Sequence, residues 1–161
     1  MKHDLETLGA LTWLAMHSQT HHRMPSGEFM RALKPAMQQK RVLLFFRQAQ
    51  PHAWLAWSFL STQSLQEKCQ QLAPTQAVAA HDVHTHAPWH VWLDFWVRPY
   101  GCDAPLAEAV AKGLQQAWQH IEHLHTEHLH TKPNPAMTLN WFDPAPAQLH
   151  LGIPPEQLKN L

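Results

Sequence analysis

The sequence predicts a single α+β domain in which helices pack on a twisted sheet of mixed or antiparallel strands. Its predicted elements run in the order α, α, β, β, α, β, α, β, β, which favours such a sheet over a doubly wound parallel one. The 161 residues are typical of one domain and enough to enclose one substantial core. We therefore expect one domain over residues 1–161 that ends in a polar tail.

The first forty residues predict two helices. Apolar residues at helical spacings indicate a first helix that ends near Ser18. Ser26 is placed to cap a second helix that ends at Gln39-Lys40. Pro35 is expected to kink this helix or to leave its first half in a separate turn. The apolar positions of the first helix are Leu5, Leu8, Leu11, Trp13 and Met16.

A hairpin and an exposed helix are predicted next. Residues 41–47 and 52–59 are rich in apolar and aromatic side chains, which is typical of strands, and Gln48-Ala49-Gln50-Pro51 separates them. Residues 62–72 have the glutamine-rich composition of an exposed helix. Residues 73–88 lose this periodicity and collect alanine, histidine and proline, so we expect a surface loop there.

A strand, a tight turn and a helix form the next predicted unit. Residues 89–97 have strand composition, and Pro99-Tyr100-Gly101 ends the strand. Asp103 can cap the following helix, and Pro105 is acceptable in its first turn. The helix carries a continuous apolar stripe. The stripe consists of Leu106, Val110, Leu114, Ala117, Trp118 and Ile121.

A tandem repeat precedes two short strands at the end of the chain. Glu122-His123-Leu124-His125-Thr126 is repeated at once as residues 127–131, and Pro133 and Pro135 follow. Residues 137–142 and 148–151 then indicate two strands, joined through Asp143-Pro144-Ala145-Pro146.

Composition excludes several classes of protein. Twelve basic and twelve acidic residues balance, so no net field indicates nucleic acid or an anionic membrane as a partner. Cys69 and Cys102 lie in unlike contexts, which argues against both a disulfide framework and a thiolate metal site. No signal peptide and no membrane span are indicated, and we expect a cytoplasmic protein.

Two distant stretches carry the candidate chemistry. His21 follows the first predicted helix, and Asp94 lies within an apolar strand, so the two residues can serve as a base and its orienting acid. One histidine among fifteen is by itself more often a surface or satisfied residue than a catalyst. Burying Asp94 costs several kcal/mol unless it is paired, so it either faces solvent at an edge or has a specific partner.

The order and spacing of several short patterns resemble the toxin-activating lysine acyltransferases, which mature RTX protoxins such as hemolysin. The similarity runs from about Leu5 to Gly101, and Asp143-Pro144, between two late strands, is a weaker match. No single pattern is specific by itself. The matching positions are Leu8-Gly9, Thr12-Trp13-Leu14, Ser18, His21, Pro25, Pro35-Ala36, Val42-Leu43-Leu44, Ala53-Trp54, Trp57, Leu60-Ser61 and the stretch from Trp92 to Gly101.

This resemblance implies a fold similar to the GNAT acetyltransferases. It implies transfer of a fatty acyl group from acyl carrier protein to the ε-amino groups of internal lysines in an RTX-type protoxin. The partners would be acyl carrier protein, the protoxin and a second copy of the chain in a homodimer. No metal and no permanently bound cofactor are implied, since the phosphopantetheine-linked acyl chain arrives as a substrate. From about residue 152 the tail is short and divergent, which leaves room for different dimer or protoxin contacts.

The resemblance also implies residue roles. His21 would act as general base on the acceptor lysine, or as a transient acyl acceptor, and Asp94 would orient the imidazole and stabilise its charged form. Neighbouring His22 is the rival, but the interval from Trp13 to Pro25 fits His21 without an insertion. Ser18 is a supporting residue, or a helix-end residue that bonds local backbone.

One departure concerns Asp94. The family aspartate precedes its proline by four residues, whereas Asp94 precedes Pro99 by five, and one extra residue reverses a strand's faces. A β-bulge at Phe95 or Trp96 would restore the direction. Without such a bulge, Asp94 is not the equivalent residue.

The turn at Arg98-Pro99-Tyr100-Gly101 lies where GNAT-like proteins meet the donor's phosphate arm, which makes Arg98 and Gly101 candidate donor-binding residues. The charge of Asp103 would oppose a pyrophosphate, which agrees better with acyl carrier protein than with CoA. Several basic residues could meet the acidic carrier, although scattered charges are more often simply solvated. They are Arg23, Arg31, Lys34, Lys40, Arg41 and Arg98.

Two other functions compete with this one. Histidines cluster in residues 81–86 and 123–130, which makes a metal-binding module conceivable. No Cys or carboxylate ligands complete either cluster, so a duplicated surface segment is the simpler interpretation. The second alternative is a non-catalytic GNAT-like protein that binds an acyl chain or a partner. The histidines concerned are His81, His84, His86, His123, His125, His128 and His130.

Overall fold

A computed structural model describes residues 2–72, 89–125, 139–143, 148–154 and 157–158. The predicted element order is confirmed. The helices are α1 (Lys2–His17), α2 (Ser26–Gln38), α3 (Thr62–Leu72) and α4 (Ala104–His125), and the strands are β1 (Val42–Arg47), β2 (Gln50–Ser61), β3 (Trp89–Val97), β4 (Leu139–Asp143) and β5 (Gln148–Ile153). The predicted loop at 73–88, the second copy of the repeat and residues 144–147 lie outside the described residues.

The strands form one mixed sheet in the order β1-β2-β3-β4-β5. Neighbouring strands are antiparallel except for β3 and β4, which are parallel and are connected through α4. The chain is therefore the predicted single α+β domain, and its arrangement is consistent with a GNAT-like fold.

Strand β2 is buried on both sides because helices cover both faces of the sheet. Leu55 and Trp57 pack in the core under α4, whereas Trp54 and Ala56 pack against α1 and α2. Trp92 of β3 joins Leu65 and Cys69 of α3 in a smaller cluster. We call the two sides the α4 face and the α1–α3 face.

The hairpin is tighter than predicted. Its strands extend to Arg47 and from Gln50, which pair directly, so two residues rather than four make the turn. Gln48 and Ala49 both have positive φ, at 48° and 63°. A two-residue hairpin turn of type I′ requires this conformation. Neither position is glycine or asparagine, so no residue type at positions 48 and 49 indicated a two-residue turn.

One expectation for α2 was wrong, since Pro25, not Ser26, is its N-cap, without a side-chain hydrogen bond. Pro35 lies inside an uninterrupted α2, so the first half of the helix is not a separate turn. Burial of Phe29, Leu33 and Ala36 holds α2 together across the missing Pro35 N–H.

The first predicted helix is confirmed as α1, and its apolar residues are buried only in part. Leu11 and Leu14 are buried, but Leu5, Trp13 and Met16 are 65%, 44% and 68% exposed.

The end of the chain contributes to the core. The polar tail expected there contains Leu158, which is 1% exposed and packs on the α4 face. That part of the prediction was wrong because one apolar residue in a polar segment creates no periodicity. None of the helices within the described ranges has the length and apolar character needed to cross a membrane.

Candidate active site

His21 lies in the turn that follows α1, and its ring is held by Ser18. The backbone N–H groups of His21 and His22 both donate to the Ser18 carbonyl oxygen, at 3.3 and 3.0 Å. The Ser18 Oγ lies 3.0 Å from Nδ1 of His21. The turn thus brings the hydroxyl and the imidazole together locally, without help from a distant element.

Ser18 combines its two predicted roles. Its hydroxyl accepts a hydrogen bond from the Thr20 backbone N–H at 3.3 Å, as a helix-end serine does, and also contacts His21. The side chain is buried, so the hydroxyl is shielded from competing water. This burial makes its bond to the imidazole a fixed part of the turn.

The imidazole of His21 is half-buried against strand β3. Its ring centroid lies 5.8 Å from that of Phe95, which in turn packs against Phe29 and Trp54. His22 has different surroundings. Its ring is exposed, its Nδ1 lies 2.9 Å from the Gln19 carbonyl oxygen, and its Nε2 accepts from Arg23.

A β-bulge in β3 is centred on Asp94. Ala56 pairs with Phe95 while its neighbour Trp57 pairs with Leu93, so Asp94 is the extra residue. A bulge therefore exists in β3, but it lies at Asp94 and not at the predicted Phe95 or Trp96. It places Asp94 and Phe95 on the α1–α3 face, since Phe95 packs there and Asp94 bonds to α3. Asp94 consequently lies beside the residue that contacts His21.

The Asp94 carboxylate is partly exposed and has a specific partner. Lys68 of α3 donates from Nζ to Oδ1 over 2.9 Å. The same ammonium lies 4.9 Å from the centroid of the Trp92 ring. Both environments considered for Asp94, a solvent-facing position and a specific partner, occur together.

The sheet opens at the bulge. The ladder between the described parts of β3 and β4 has two pairs, Val91 with Leu139 and Trp92 with Asn140. Continuing this register would place Leu93 opposite Trp141, but no further pair follows in the described residues, and we call this end of the ladder the opening. Asn140 pins the closed end, because its amide donates to the Val91 carbonyl oxygen and its Oδ1 accepts from the Gly152 N–H.

Two buried indoles flank this opening on the α4 face. Trp57 pairs with Leu93, and Trp141 lies at the position that Leu93 would face. Neither Nε1 has an acceptor among the described residues. A buried donor without an acceptor costs about 1–3 kcal/mol, so these two indole N–H groups are unsatisfied donors next to the end of the ladder.

The turn after β3 is shaped by Gly101 and leads directly to a capped helix. The Gly101 N–H donates to the Arg98 carbonyl oxygen at 3.0 Å, and Gly101 has a φ of 80°. Asp103 then caps α4 as predicted, since its Oδ1 accepts from the Leu106 N–H. The hydrogen bond from Arg47 and that N–H lower the pKa of Asp103. The start of α4 therefore already holds a negatively charged carboxylate.

No group of three or more metal-ligating side chains occurs within the described ranges. The histidines at 81, 84, 86, 128 and 130 lie outside those ranges, so the metal-binding alternative is not tested for either histidine cluster.

Sequence reasoning missed three residues of this region. Lys68 was hidden in a glutamine-rich exposed helix, and only the pairing of α3 with β3 brings it to Asp94. Trp57 and Trp141 looked like ordinary core residues. Their position at the opening depends on strand register, which no local pattern encodes.

Comparisons with known proteins show which family the chain belongs to. The sequence model of the RTX toxin acyltransferase family matches residues 1–134, which include His21, Lys68 and Asp94. The chain is 25% identical over 101 residues to the RTX-II toxin-activating lysine-acyltransferase ApxIIC of Actinobacillus pleuropneumoniae, which covers 63% of the chain and 60% of that relative. It is 28% identical over 108 residues to the protein-lysine myristoyltransferase HlyC of Escherichia coli. This match covers 67% of the chain and 61% of that relative.

The chain spans about 60% of the length of these curated relatives. The family match nevertheless covers most of the chain and contains both the Ser18–His21 turn and the bulged strand. The chain belongs to the RTX toxin acyltransferase family.

Proposed function

We propose that the protein transfers a fatty acyl group from acyl carrier protein to ε-amino groups of internal lysines in an RTX-type protoxin. The observation that carries the proposal is the position of His21, whose ring is held by Ser18 and lies against β3 beside the bulge. Family membership and the toxin-activating relatives support the same reaction.

His21 acts as the general base in this proposal. A lysine amine with a pKa near 10 is almost fully protonated at neutral pH, so it needs a base before it attacks a thioester. When Nδ1 of His21 carries its proton and donates to the Ser18 Oγ, Nε2 retains the lone pair that a base requires. The Ser18 hydroxyl can accept this hydrogen bond, so it holds the ring in place and is compatible with the tautomer that the base requires.

The bulge has two tasks. The extra residue takes backbone groups of Asp94 out of the regular β2–β3 register, so an N–H there is available to stabilise the developing oxyanion of a thioester. The Asp94 carboxylate supplies negative charge on the same face as His21 and favours an imidazolium over a neutral ring.

The donor arm enters between β3 and β4. The opening begins at the bulge, and the indole N–H groups of Trp57 and Trp141 match the amide carbonyls of a phosphopantetheine arm. Arg98 and Gly101 lie in the turn at the end of β3, close to where the phosphate end of such an arm would emerge. The Asp103 cap favours acyl carrier protein, with its single phosphodiester, over CoA.

The proposal includes a cytoplasmic homodimer without a permanently bound cofactor. The apolar surface that α1 exposes at Leu5, Trp13 and Met16 supports self-association. Light scattering after size-exclusion chromatography measures the mass in solution, and a monomer at micromolar concentration would contradict the dimer.

The reaction is tested by incubating the protein with an RTX-type protoxin and acyl carrier protein charged with several chain lengths. Matched acyl-CoA donors run in parallel, and peptide mass spectrometry locates acylated lysines. We expect acylated protoxin lysines with the carrier-bound donor and much less product with CoA. Binding of acyl carrier protein without any acylation would instead identify a non-catalytic binding protein.

A further inference from the structure

The ammonium group of Lys68 lies in a small site made by β3. Its Nζ is 2.9 Å from the Asp94 carboxylate and 4.9 Å from the centroid of the Trp92 ring. A carboxylate and the face of an indole are the two groups that bind a lysine ammonium most favourably in proteins. The side chain of Lys68 remains about one-third exposed, so reagents can reach it.

The location of this site matters more than its composition. Asp94 is the bulge residue, and β3 parts from β4 directly after Trp92. A thioester held in that opening would present its carbonyl carbon beside the bulge. Lys68 therefore holds its amine beside the bulge.

We propose that Lys68 occupies the acceptor-lysine position in the free protein and is itself acylated by the donor when no protoxin is present. This inference rests on the proposed function, and it names an acceptor site built from Asp94 and Trp92. The acceptor lysine of the protein substrate takes the same site after displacing the Lys68 ammonium.

The chemical step is ordinary aminolysis of a thioester. The Lys68 ammonium first gives one proton to solvent through the neighbouring carboxylate or imidazole. The neutral Nζ attacks the carbonyl carbon, an N–C bond forms, and the C–S bond breaks. The second proton passes from nitrogen to the leaving sulfur. An amide and a free thiol result, with no oxidant or reductant.

Other lysines of the chain provide internal controls. Lys34 of α2, Lys40 after it and Lys112 of α4 are all exposed at least as well as Lys68. Spontaneous acylation by a reactive thioester would label these amines as readily as Lys68. Site-directed acylation would favour Lys68 at least about tenfold, because proximity raises its effective concentration.

The test incubates the full chain with acyl carrier protein charged with a C14 or C16 chain and, separately, with the matching acyl-CoA, without protoxin. Peptide mapping then quantifies acylation at every lysine. We expect selective labelling of Lys68 and loss of that label in Lys68→Arg, which keeps a cation beside Asp94. Lys112→Arg is the matched control and should label Lys68 as the wild type does.

A parallel reaction with protoxin separates two kinds of failure. Acylated protoxin lysines together with unlabelled Lys68, or equal labelling of Lys34, Lys112 and Lys68, would overturn this inference and leave the proposed function standing. The absence of acylation on both protoxin and Lys68 with every donor would overturn both.

Discussion

At the scale of single residues, the turn that follows α1 brings the hydroxyl of Ser18 into contact with the imidazole of His21. Ser18 Oγ lies 3.0 Å from Nδ1 of His21, and the imidazole ring lies against Phe95. The geometry gives Ser18 a larger part in positioning His21 than a local backbone contact alone would require.

Replacing Ser18 with alanine should therefore lower turnover about tenfold or more, because the imidazole of His21 is no longer held in position by the hydroxyl. KM for the donor should change little, and the pH profile of kcat should shift. Thr12→Ala is the control, since Thr12 in α1 donates only to the Leu8 carbonyl oxygen. Equal turnover in the two variants would show that the Ser18 hydroxyl is merely structural.

His90 is a buried residue whose protonation opposes folding. Its Nε2 lies 3.1 Å from the Thr62 Oγ1, and burial lowers its pKa below the ordinary 6.5. The unfolded chain therefore binds the proton first as pH falls. Stability from neutral His90 is complete above pH 6.5 and declines as pH drops from there towards the lowered folded-state pKa.

His90→Gln removes this contribution. The melting temperature of the variant should lie below that of the wild type at pH 7.5, and the gap should narrow at pH 5.5. Differential scanning calorimetry at both pH values measures the melting temperatures of the variant and of the wild type. If the difference in melting temperature were the same at both pH values, protonation of His90 would not be what destabilises the folded protein at low pH.

At the scale of secondary-structure elements, the bulge in β3 decides how the site is built. The five-residue interval from Asp94 to Pro99 correctly predicted that a bulge was needed. Its exact position was not predictable, because Trp92, Leu93, Phe95 and Trp96 are all buried and the apolar pattern is the same for either placement.

Asp94→Asn keeps the size of the bulge residue and removes its charge. We expect turnover to fall roughly ten- to a hundredfold, while binding of acyl carrier protein changes much less. Lys68 also loses its charged partner, so self-acylation should fall too. Calorimetric binding and thermal melts run beside the kinetics. A variant that only unfolds, with normal turnover in the folded fraction, would make Asp94 structural.

Helix α2 shows a different limit of sequence reading. Proline disfavours a helix interior by about 3 kcal/mol, and for this reason a kink or a separate first turn was expected at Pro35. Packing of Phe29 and Leu33 against Trp54 and Phe95 outweighs that local preference. Tertiary burial of this kind depends on partners far away in the chain.

At the scale of the whole molecule, element order and sheet class followed from the sequence, since strand and helix periodicities alternate clearly up to residue 125. The opening between β3 and β4 did not follow. It depends on a two-pair parallel ladder and on Asn140, which bonds to both Val91 and Gly152. Such cross-strand geometry leaves no local signature.

The end of the chain should be essential to stability, because Leu158 fills the α4-face core. Leu158→Ala is expected to reduce the free energy of unfolding by about 2–5 kcal/mol. Urea denaturation measures the change. Leu72→Ala, at a leucine that is 39% exposed, is the control and should cost less than about 1 kcal/mol. Equal costs would mean that Leu158 does not belong to the core.

The most direct test of the account compares His21→Ala with His22→Ala in acylation of an RTX-type protoxin by acyl carrier protein. The two histidines are adjacent, but only His21 lies against Phe95 with its Nδ1 at the Ser18 hydroxyl. The account predicts that His21→Ala lowers the rate roughly 10²- to 10⁴-fold and that His22→Ala keeps most of it. Undiminished acylation by His21→Ala would contradict the account.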